Sequence, residues 1–562
     1  MTRMTRITAS LALACFGGGV LSQQTINVPN DIPTLSLALN PVVSGLSAGD
    51  TIELEPGTYS NNGDYTVSVS DITIRGLGAT PVTLDQFGTG RIFTADAGVT
   101  LTLENLKLTN GDSSGDDGGA VFMADGGTLS IIGCEFENNV GRQGGAVWCV
   151  RTELVVEDST FSGNTATQRG GAISGGGNSA NMTIRGSTFA SNMTTGGEGG
   201  AIRYVAAGLI TIENSAFTGN SCTSSGGAVF IATSDAARVT ETTFTGNFTQ
   251  GTASEDTGGL FFSDVSDAVV RDCDFVRNLC PGSGGALRYS NADGTVIDSR
   301  FVENEASQAG ALLAAGTCDV EVYNCVFTEN SALADGDGNF RGGAIAANGG
   351  GASEASITIF NSLFDGNIAS GAGAIDANTA SNIDVINSTF INNVSDEFGS
   401  AIWKTSGTAD ARVFNSVFSD NVPSDDQIRL NSSAGIEEAS FNLINGGFVA
   451  PGTNNIQADP MFVDASNGDY SLQPDSPAID AGSSSLYLSP TLSDLAGNPR
   501  AQDDPDTADV GEAIIGAVID MGAFEFTVES GVADCPADQN FDGQLTPADF
   551  NAWILNFNAG CD

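Results

Sequence analysis

The sequence predicts an all-β fold, a parallel β-helix, and three observations carry that expectation. Two small residues, an Ala and an aliphatic residue recur eleven times between Gly118 and Asn421, each time followed about 18 residues later by Phe-x-x-Asn. The period is about 25 to 31 residues, broken once by an insertion before Gly342, and a fixed period of that size marks a solenoid. Between the motifs lie short β-type runs such as Leu129–Ile132, Met182–Ile184 and Ile357–Phe360, bounded by Gly, Ser, Asn and Asp and lacking helical periodicity.

Taken from the N-terminus, residues 1–22 read as a secretory signal: Arg3 and Arg6 precede the short apolar run Ile7–Leu21, and Val20-Leu21-Ser22 suits cleavage before Gln23. Residues 23–110 hold a cap and the first coils. Ile32–Leu46 is the apolar-rich cap, with Pro33 and Pro41 bounding any helical turn. Such a cap is expected because a solenoid end otherwise exposes apolar coil edges. Residues 111–430 carry the regular repeat. Strands this short must pair with the next coil, at about 4.8 Å. The Phe column, from Phe136 to Phe418, stacks inside, and the Asn column, from Asn139 to Asn421, forms an amide ladder at a turn. The Gly pairs suit a corner that needs positive φ or close backbone approach.

Composition narrows the function. The formal net charge is −48 over 562 residues, there is no histidine, and Lys107 and Lys404 are the only lysines. Without a basic patch, nucleic acid is excluded as a partner. Strong acidity favours solubility and offers oxygen ligands to hard cations. No stretch after the signal reaches the length of a membrane helix, so the mature chain is expected to be exported with no transmembrane segment. Export permits disulfides, and Cys535 with Cys561, which bracket the C-terminal module, is the best pair. In the coils, Cys134, Cys273 and Cys325 share a position, but Cys273 and Cys325 stand two coils apart, roughly 9.6 Å, too far to bond.

The last segment, residues 531–562, contains Asp538-Gln539-Asn540-Phe541-Asp542-Gly543-Gln544-Leu545-Thr546-Pro547-Ala548-Asp549. Oxygen side chains at loop positions 1, 3, 5 and 12, with Gly at 6, match the calcium-binding EF-hand loop. Asp538, Asn540, Asp542 and Asp549 are the expected ligands, with Gln544 giving its backbone carbonyl, and calcium is the expected cofactor. Thr546 caps a following helix that places Phe550, Trp553, Ile554 and Phe557 on one face.

Residues 431–530 have another texture, with Ser476-Pro477-Ala478-Ile479-Asp480-Ala481-Gly482, Asp494-Leu495-Ala496-Gly497-Asn498-Pro499-Arg500 and Asp520-Met521-Gly522-Ala523-Phe524-Glu525. These segments resemble the closing region of secreted bacterial right-handed β-helix proteins with varied C-terminal anchors. The Gly-Gly-Ala-Ile and Phe-x-x-Asn repeats resemble the passenger of chlamydial polymorphic outer membrane proteins. The calcium loop and its flanking cysteines resemble a single-repeat dockerin. The resemblance implies a right-handed, pectate-lyase-like solenoid, an adhesin-like role, and attachment through a cohesin-like or other cell-surface receptor. Dockerins carry two loops and this chain shows one; the chlamydial proteins end in a membrane barrel, for which the roughly 30 residues after Val532 are too few.

Strand alternation from the conserved Ala gives a candidate face. The residue after the Ala points in. The next points out, giving the column Phe122, Trp148, Ser174, Arg203, Phe230, Phe262, Arg288, Leu313, Ala346, Asp376 and Trp403. Its aromatic and Arg members, Phe122, Trp148, Arg203, Phe230, Phe262, Arg288 and Trp403, suit a sugar or a protein partner. Either this row meets a ligand, or a loop or the segment near 430–530 covers it as a second core layer. For catalysis the sequence is poor. The Gly-His-Gly element of pectin hydrolases cannot exist without histidine, and the acid pairs Asp116/Asp117, Asp264/Asp267 and Asp425/Asp426 are expected by chance among 68 acids. No catalytic residue is assigned. The expected protein is a secreted right-handed parallel β-helix of about 15 coils with a calcium-binding C-terminal module. Its expected role is an adhesin-like rod binding an extracellular polysaccharide or surface protein. A polysaccharide lyase, glycosidase or epimerase is the alternative, and a structural envelope component the second alternative.

Overall fold

The computed structural model describes residues 23–527, apart from 62, 178–179, 252–255, 333–341, 351–353, 379, 406–408, 432–434, 449, 486–492, 501, 503 and 514–517. The signal segment and the calcium loop, with Asp538, Asn540, Asp542, Gln544, Asp549, Cys535 and Cys561, lie outside the described residues. Among those described, the chain winds through four parallel sheets. Sheet 1 has 16 strands from Thr25–Val28 to Glu437–Ser440, and sheet 2 has 15 from Thr58–Tyr59 to Leu443–Ile444. Sheet 3 has 10 short strands from Val140–Gln143 to Val394–Ser395, and sheet 4 has 14 from Tyr65–Val67 to Ile428–Leu430. One coil runs through them in that order, so each strand pairs with the strand one coil away.

The core is a set of one-residue columns. In sheet 2 the Phe rings from Phe136 to Phe418 stack face to face, with centroids 4.6–5.1 Å apart and planes 1–7° apart. Beside them runs the asparagine ladder, every member fully buried. Asn220 shows the pattern: its Nδ2 donates to Asn247 Oδ1 at 3.0 Å and to the Phe189 carbonyl at 2.9 Å. Its Oδ1 accepts from both Asn192 Nδ2 and the Asn192 backbone N–H, each at 3.0 Å. At the last coil Asn421 Nδ2 donates instead to Gln427 Oε1 at 2.8 Å, which closes the ladder.

The turn from sheet 3 to sheet 4 explains the paired glycines. A Cβ on the second glycine, such as Gly200 or Gly285, would sit 1.9 Å from the carbonyl oxygen of the next coil. No side chain fits there, so the position is Gly in coil after coil, with Ser400 at the far end of the run. At the N-terminal end two four-residue helices, Leu35–Ala38 and Pro41–Ser44, close the rod. Thr34 and Asn40 cap them by accepting from Leu37 N–H and Val42 N–H, and Leu35 and Ala38 are buried against the first coil. Cys134, Cys149, Cys222, Cys273, Cys280, Cys318 and Cys325 are free and buried.

Beyond Ile444 the chain stops coiling. After a short antiparallel pair, Phe462–Asp464 with Asp469–Leu472, it folds back over the outside of sheet 2. Outward Leu363 and Ile391 cluster with Tyr470, Phe462, Leu495 and Phe524, and Val417 clusters with Ile479 and Met521. Corner asparagines serve as docking points: Asn387 Nδ2 donates to the Asp520 carbonyl at 3.1 Å, and Asn415 Nδ2 to the Ser483 carbonyl at 3.1 Å. A buried ion pair, Arg500 with Glu525 at 2.9 Å, ties this segment to Asn361 Oδ1 at 3.1 Å. Among the described residues no helix is long and apolar enough to cross a membrane.

The ladder makes a direct prediction. Replacing Asn220 with Ala strands the Phe189 carbonyl and both Asn192 donors in a dry interior, so Asn220→Ala should cost roughly 2–4 kcal/mol. Chemical unfolding of the two proteins measures it. A loss below about 0.5 kcal/mol, the size of an ordinary surface substitution, would remove the ladder from the account.

Candidate functional site

The outward column of sheet 4 is built as strand alternation demands, with one correction. The registers run Phe122–Trp148–Ser174–Arg203–Phe230, then to Phe261, Arg288, Leu313, Ala346, Asp376, Trp403 and Arg429. Phe262, expected outside, points inward, is fully buried and packs on Tyr289 at 5.3 Å. The cause lies in the corner motif of that coil. Leu260 pairs with Val229, so Gly259 takes the place of the usual Ala and the four-residue motif is Thr257-Gly258-Gly259-Leu260. Counting from the glycine pair as elsewhere shifts the phase by one residue.

The column is not one open row. At its start Phe122 and Trp148 are half-buried and stacked, centroids 4.7 Å apart and planes 14° apart. Arg91 covers the other face of Phe122 at 4.9 Å. That arginine is fixed by Asp64 at 2.9 Å, by the Asp117 carbonyl at 2.8 Å and by the Gly118 carbonyl at 2.9 Å. Arg91 occupies the second-glycine position one coil before the glycine motif begins, so the repeat signal does not reveal it. Arg203 lies 3.4 Å from Glu198, which Arg169 also approaches at 3.5 Å. Phe230 meets Phe261 edge to face at 5.2 Å, and the Arg288 guanidinium lies 5.1 Å over Phe261.

The middle of the column is closed. Arg288, Leu313, Ala346 and Asp376 are each no more than 4% exposed. The connection from sheet 3 contributes Ala309, which packs with Leu313 and Ala346. The row therefore becomes a second core layer in these coils, as one of the two readings of the sequence expects. Trp403 reappears half-buried beside Phe398 at 5.3 Å, with Arg429 4.7 Å over Phe398. Nine coil steps separate Trp148 from Trp403, about 43 Å at strand spacing, so the two tryptophans belong to separate ends.

Two recesses lie elsewhere on the rod, one at the head of the column and one in the closing segment. Thr66 heads the column, pairing through Thr94 to Phe122, and lines a recess of about 370 Å³ with Ser36, Asn40, Asn61, Asp64 and Ser68. A second recess, of about 800 Å³, lies in the closing segment, where Asp475, Asp504 and Asp506 face Ile456, Ile479 and Phe526. One acid of each pair noted in the sequence is engaged by arginine: Asp117 by Arg142 at 2.9 and 2.8 Å, Asp267 by Arg238, and Asp426 by Arg429. Among the described residues no group of three or more His, Cys, Asp and Glu side chains is placed to hold a metal ion.

Sequence reasoning missed two buried titratable side chains of sheet 4. The Asp376 carboxyl is pushed up to about 8 by burial, against the pull of the Lys404 ammonium. Lys404, inward-facing and fully buried, is drawn down to about 8 by loss of hydration, with Asp376 and Glu437 opposing. Its Nζ donates to the carbonyls of Asn378 and Thr405. The only hint in the sequence was a lysine in a chain that has two.

The family model for the right handed beta helix region matches residues 58–217 and 198–390, more than half of the chain, and the chain belongs to that family. No curated protein matches it. Among solved structures, an alginate lyase described as a complex with trisaccharide is 13% identical, with a TM-score of 0.31, over 69% of this chain and 85% of that one. Pectate lyase Pel9A is 14% identical, with a TM-score of 0.29, over 91% of this chain and 98% of that one. At such values the likeness carries no argument about activity.

These two buried groups set a pH dependence. The folded value of Asp376 lies above its ordinary 3.8, so the fold favours the neutral acid. That stabilisation is complete below about pH 4 and is lost as pH rises toward about 8. Lys404 lies below its ordinary 10.5, so its cost is present below about pH 8 and relieved above. The stability of wild type minus that of Asp376→Asn should therefore fall from pH 4 to pH 8 and level off beyond. Melting both proteins across that range checks it, and a difference that does not change with pH would contradict the assignment.

Proposed function

We propose that this protein is an exported, non-catalytic binding rod that holds an extracellular polysaccharide at the N-terminal end of the outer face of sheet 4. The observation that carries the reading is the Arg91–Phe122–Trp148 stack, tied through the Arg91–Asp64 ion pair to the hydroxyl- and amide-rich recess that Asp64 lines with Asn40, Asn61, Thr66 and Ser68. Aromatic edges beside hydroxyl and amide groups suit sugar rings, which offer C–H faces and hydroxyls together. Phe230 and Arg203 extend the same end by two to three coils. A surface protein is the other partner this face would suit.

The C-terminal loop, with Asp538, Asn540, Asp542, Gln544 and Asp549 as calcium ligands and Cys535 bonded to Cys561, serves in this reading as the dockerin-like anchor. It takes a cohesin-like or other cell-surface receptor. Calcium would order the loop and hold no part of the glycan face.

A second reading, a lyase, glycosidase or epimerase, has only the buried Asp376 carboxyl and Lys404 ammonium to draw on, and strand alternation sets those two on opposite faces of sheet 4. Both side chains are buried, which speaks against direct contact with a polymer. A purely structural envelope component has no observation of its own.

Affinity electrophoresis of the full chain on a panel of plant and algal polysaccharides, with calcium present, tests the first reading. Trp148→Ala should weaken retention on the best substrate about tenfold, roughly 1.4 kcal/mol, with an unchanged melting temperature. Trp403→Ala should have a separate, smaller effect, since it stands at the other end. New reducing ends released during the same incubation, above a boiled control, would replace binding by catalysis.

A further inference from the structure

On a chain with 68 acidic residues, the exposed apolar side chains are not scattered. Of the fourteen large ones exposed among the described residues, five share one column: Val140, Met193, Leu279, Ile368 and Val422, each between 37% and 54% exposed. They are outward residues of sheet 3. The registers carry this column from Val140 through Thr165, Met193, Ser221 and Phe248 to Leu279. It continues through Glu305, Ser331, Ile368 and Val394 to Val422. Alternation explains the direction, since the next residue in each strand turns inward, as buried Ala166, Cys222, Cys280 and Ala306 do.

Glu305 is the one charged residue of the column. Sheet 1, by contrast, sets Glu53, Arg75 and Glu104, and then Glu157, Arg185 and Glu213, in one outward row. An apolar column about 48 Å long on so acidic a rod marks a contact surface.

We propose that this column is the contact between two copies of the chain, laid side by side with the rods antiparallel about a two-fold axis at Leu279. A two-fold contact sets each residue against the one an equal number of coils beyond the axis. Leu279 then meets Leu279, and the column matches itself outward from there. Ser221 faces Ser331, Met193 faces Ile368, and Val140 faces Val422. Glu305 faces Phe248, and Thr165 faces Val394. The corner position two residues earlier in each coil follows the same rule: Glu303, Glu329 and Asp420 face Gly246, Gly219 and Asn138. Arg277 meets Arg277 on the axis, each holding its own Glu303 at 2.5 Å. No carboxylate in either column meets a carboxylate. Parallel rods in register would instead set Glu305, Glu303, Glu329 and Asp420 each against its own copy, so charge selects the antiparallel arrangement.

A strip of this length and about 10 Å wide covers on the order of 500 Å² per copy, toward the small end of specific interfaces. The dimer should therefore form in the micromolar range. The rest of each acidic copy repels the other, and salt screens that repulsion while leaving the apolar contact in place.

Sedimentation velocity of the full chain across the micromolar range tests the proposal. Wild type should dimerise, and raising salt from about 0.05 M to 0.5 M should favour the dimer. Leu279→Asp, which sets two carboxylates on the axis, should weaken association at least tenfold. Leu209→Asp, at an exposed leucine of sheet 1, should dimerise as wild type does, and both variants should melt as wild type does. A mixture of Met193→Cys and Ile368→Cys chains should form a disulfide-linked dimer under mild oxidation, and neither chain alone should. The proposal is overturned by folded wild type that stays monomeric throughout, by a dimer that salt dissociates or that Leu279→Asp leaves intact, or by Met193→Cys chains that link to one another, the mark of parallel rods. A monomer that loses its hold on a polysaccharide through Leu279→Asp would also overturn it, giving this face to the ligand.

Discussion

A buried asparagine amide has two donors and an acceptor to satisfy, and one coil of this rod does not satisfy them. The coils on either side do. Each Asn from Asn139 to Asn393 spends one donor on the Asn of the next coil, at 2.8–3.0 Å. The cost of leaving such a group unpaired is paid in full only when a coil slips, so the ladder specifies register as much as it adds stability. Phe stacking beside it has the same one-coil period. The ring planes stay 1–7° apart along the whole column.

The surface follows from that frame. Once coils sit in register, every outward position becomes a column, and chemistry accumulates along it. Charge is managed in this way: Arg75, Arg185 and Arg412 each reach two acids, mostly on the coils above and below. Such exposed pairs are individually weak, yet they occupy arginines that an anionic ligand would need. Aromatic residues accumulate on sheet 4 at the N-terminal end, and neutral hydroxyls on sheet 2 of the coils from Thr160 to Thr245. Where outward positions turn apolar, at Tyr323, Phe360, Ile386 and Phe414, the column is buried and the closing segment lies against the neighbouring sheet.

Much of this was legible in the sequence, because stacking forces each coil to spell the same requirement. Phe, Asn and the second glycine recur since each must meet its own kind one coil on. The reading slipped where a coil met the requirement differently. At Gly259 a glycine replaces the Ala, and Phe262 was assigned outward when Phe261 is. The burial of Arg288 and Asp376 was open in the sequence, since it depends on how the sheet 3 connection folds over sheet 4. Residues 431–530 read as a closing region, and the structure adds that it turns back over sheet 2. The outward apolar residues of sheet 2, Leu363, Ile391 and Val417, were the signal for that. Arg91 was hidden for the opposite reason: it stands one coil before the repeat begins.

Hydrogen exchange along the full chain, followed by mass spectrometry, tests the central claim that the asparagine and phenylalanine columns hold the rod. The account predicts slowest exchange at the ladder amides from Asn139 to Asn393, whose N–H groups bond a buried side chain of the next coil, and at the sheet 2 strands beside them. The two short capping helices, Leu35–Ala38 and Pro41–Ser44, should exchange first. Uniform exchange along the chain, or ladder amides that exchange as fast as those helices, would contradict it.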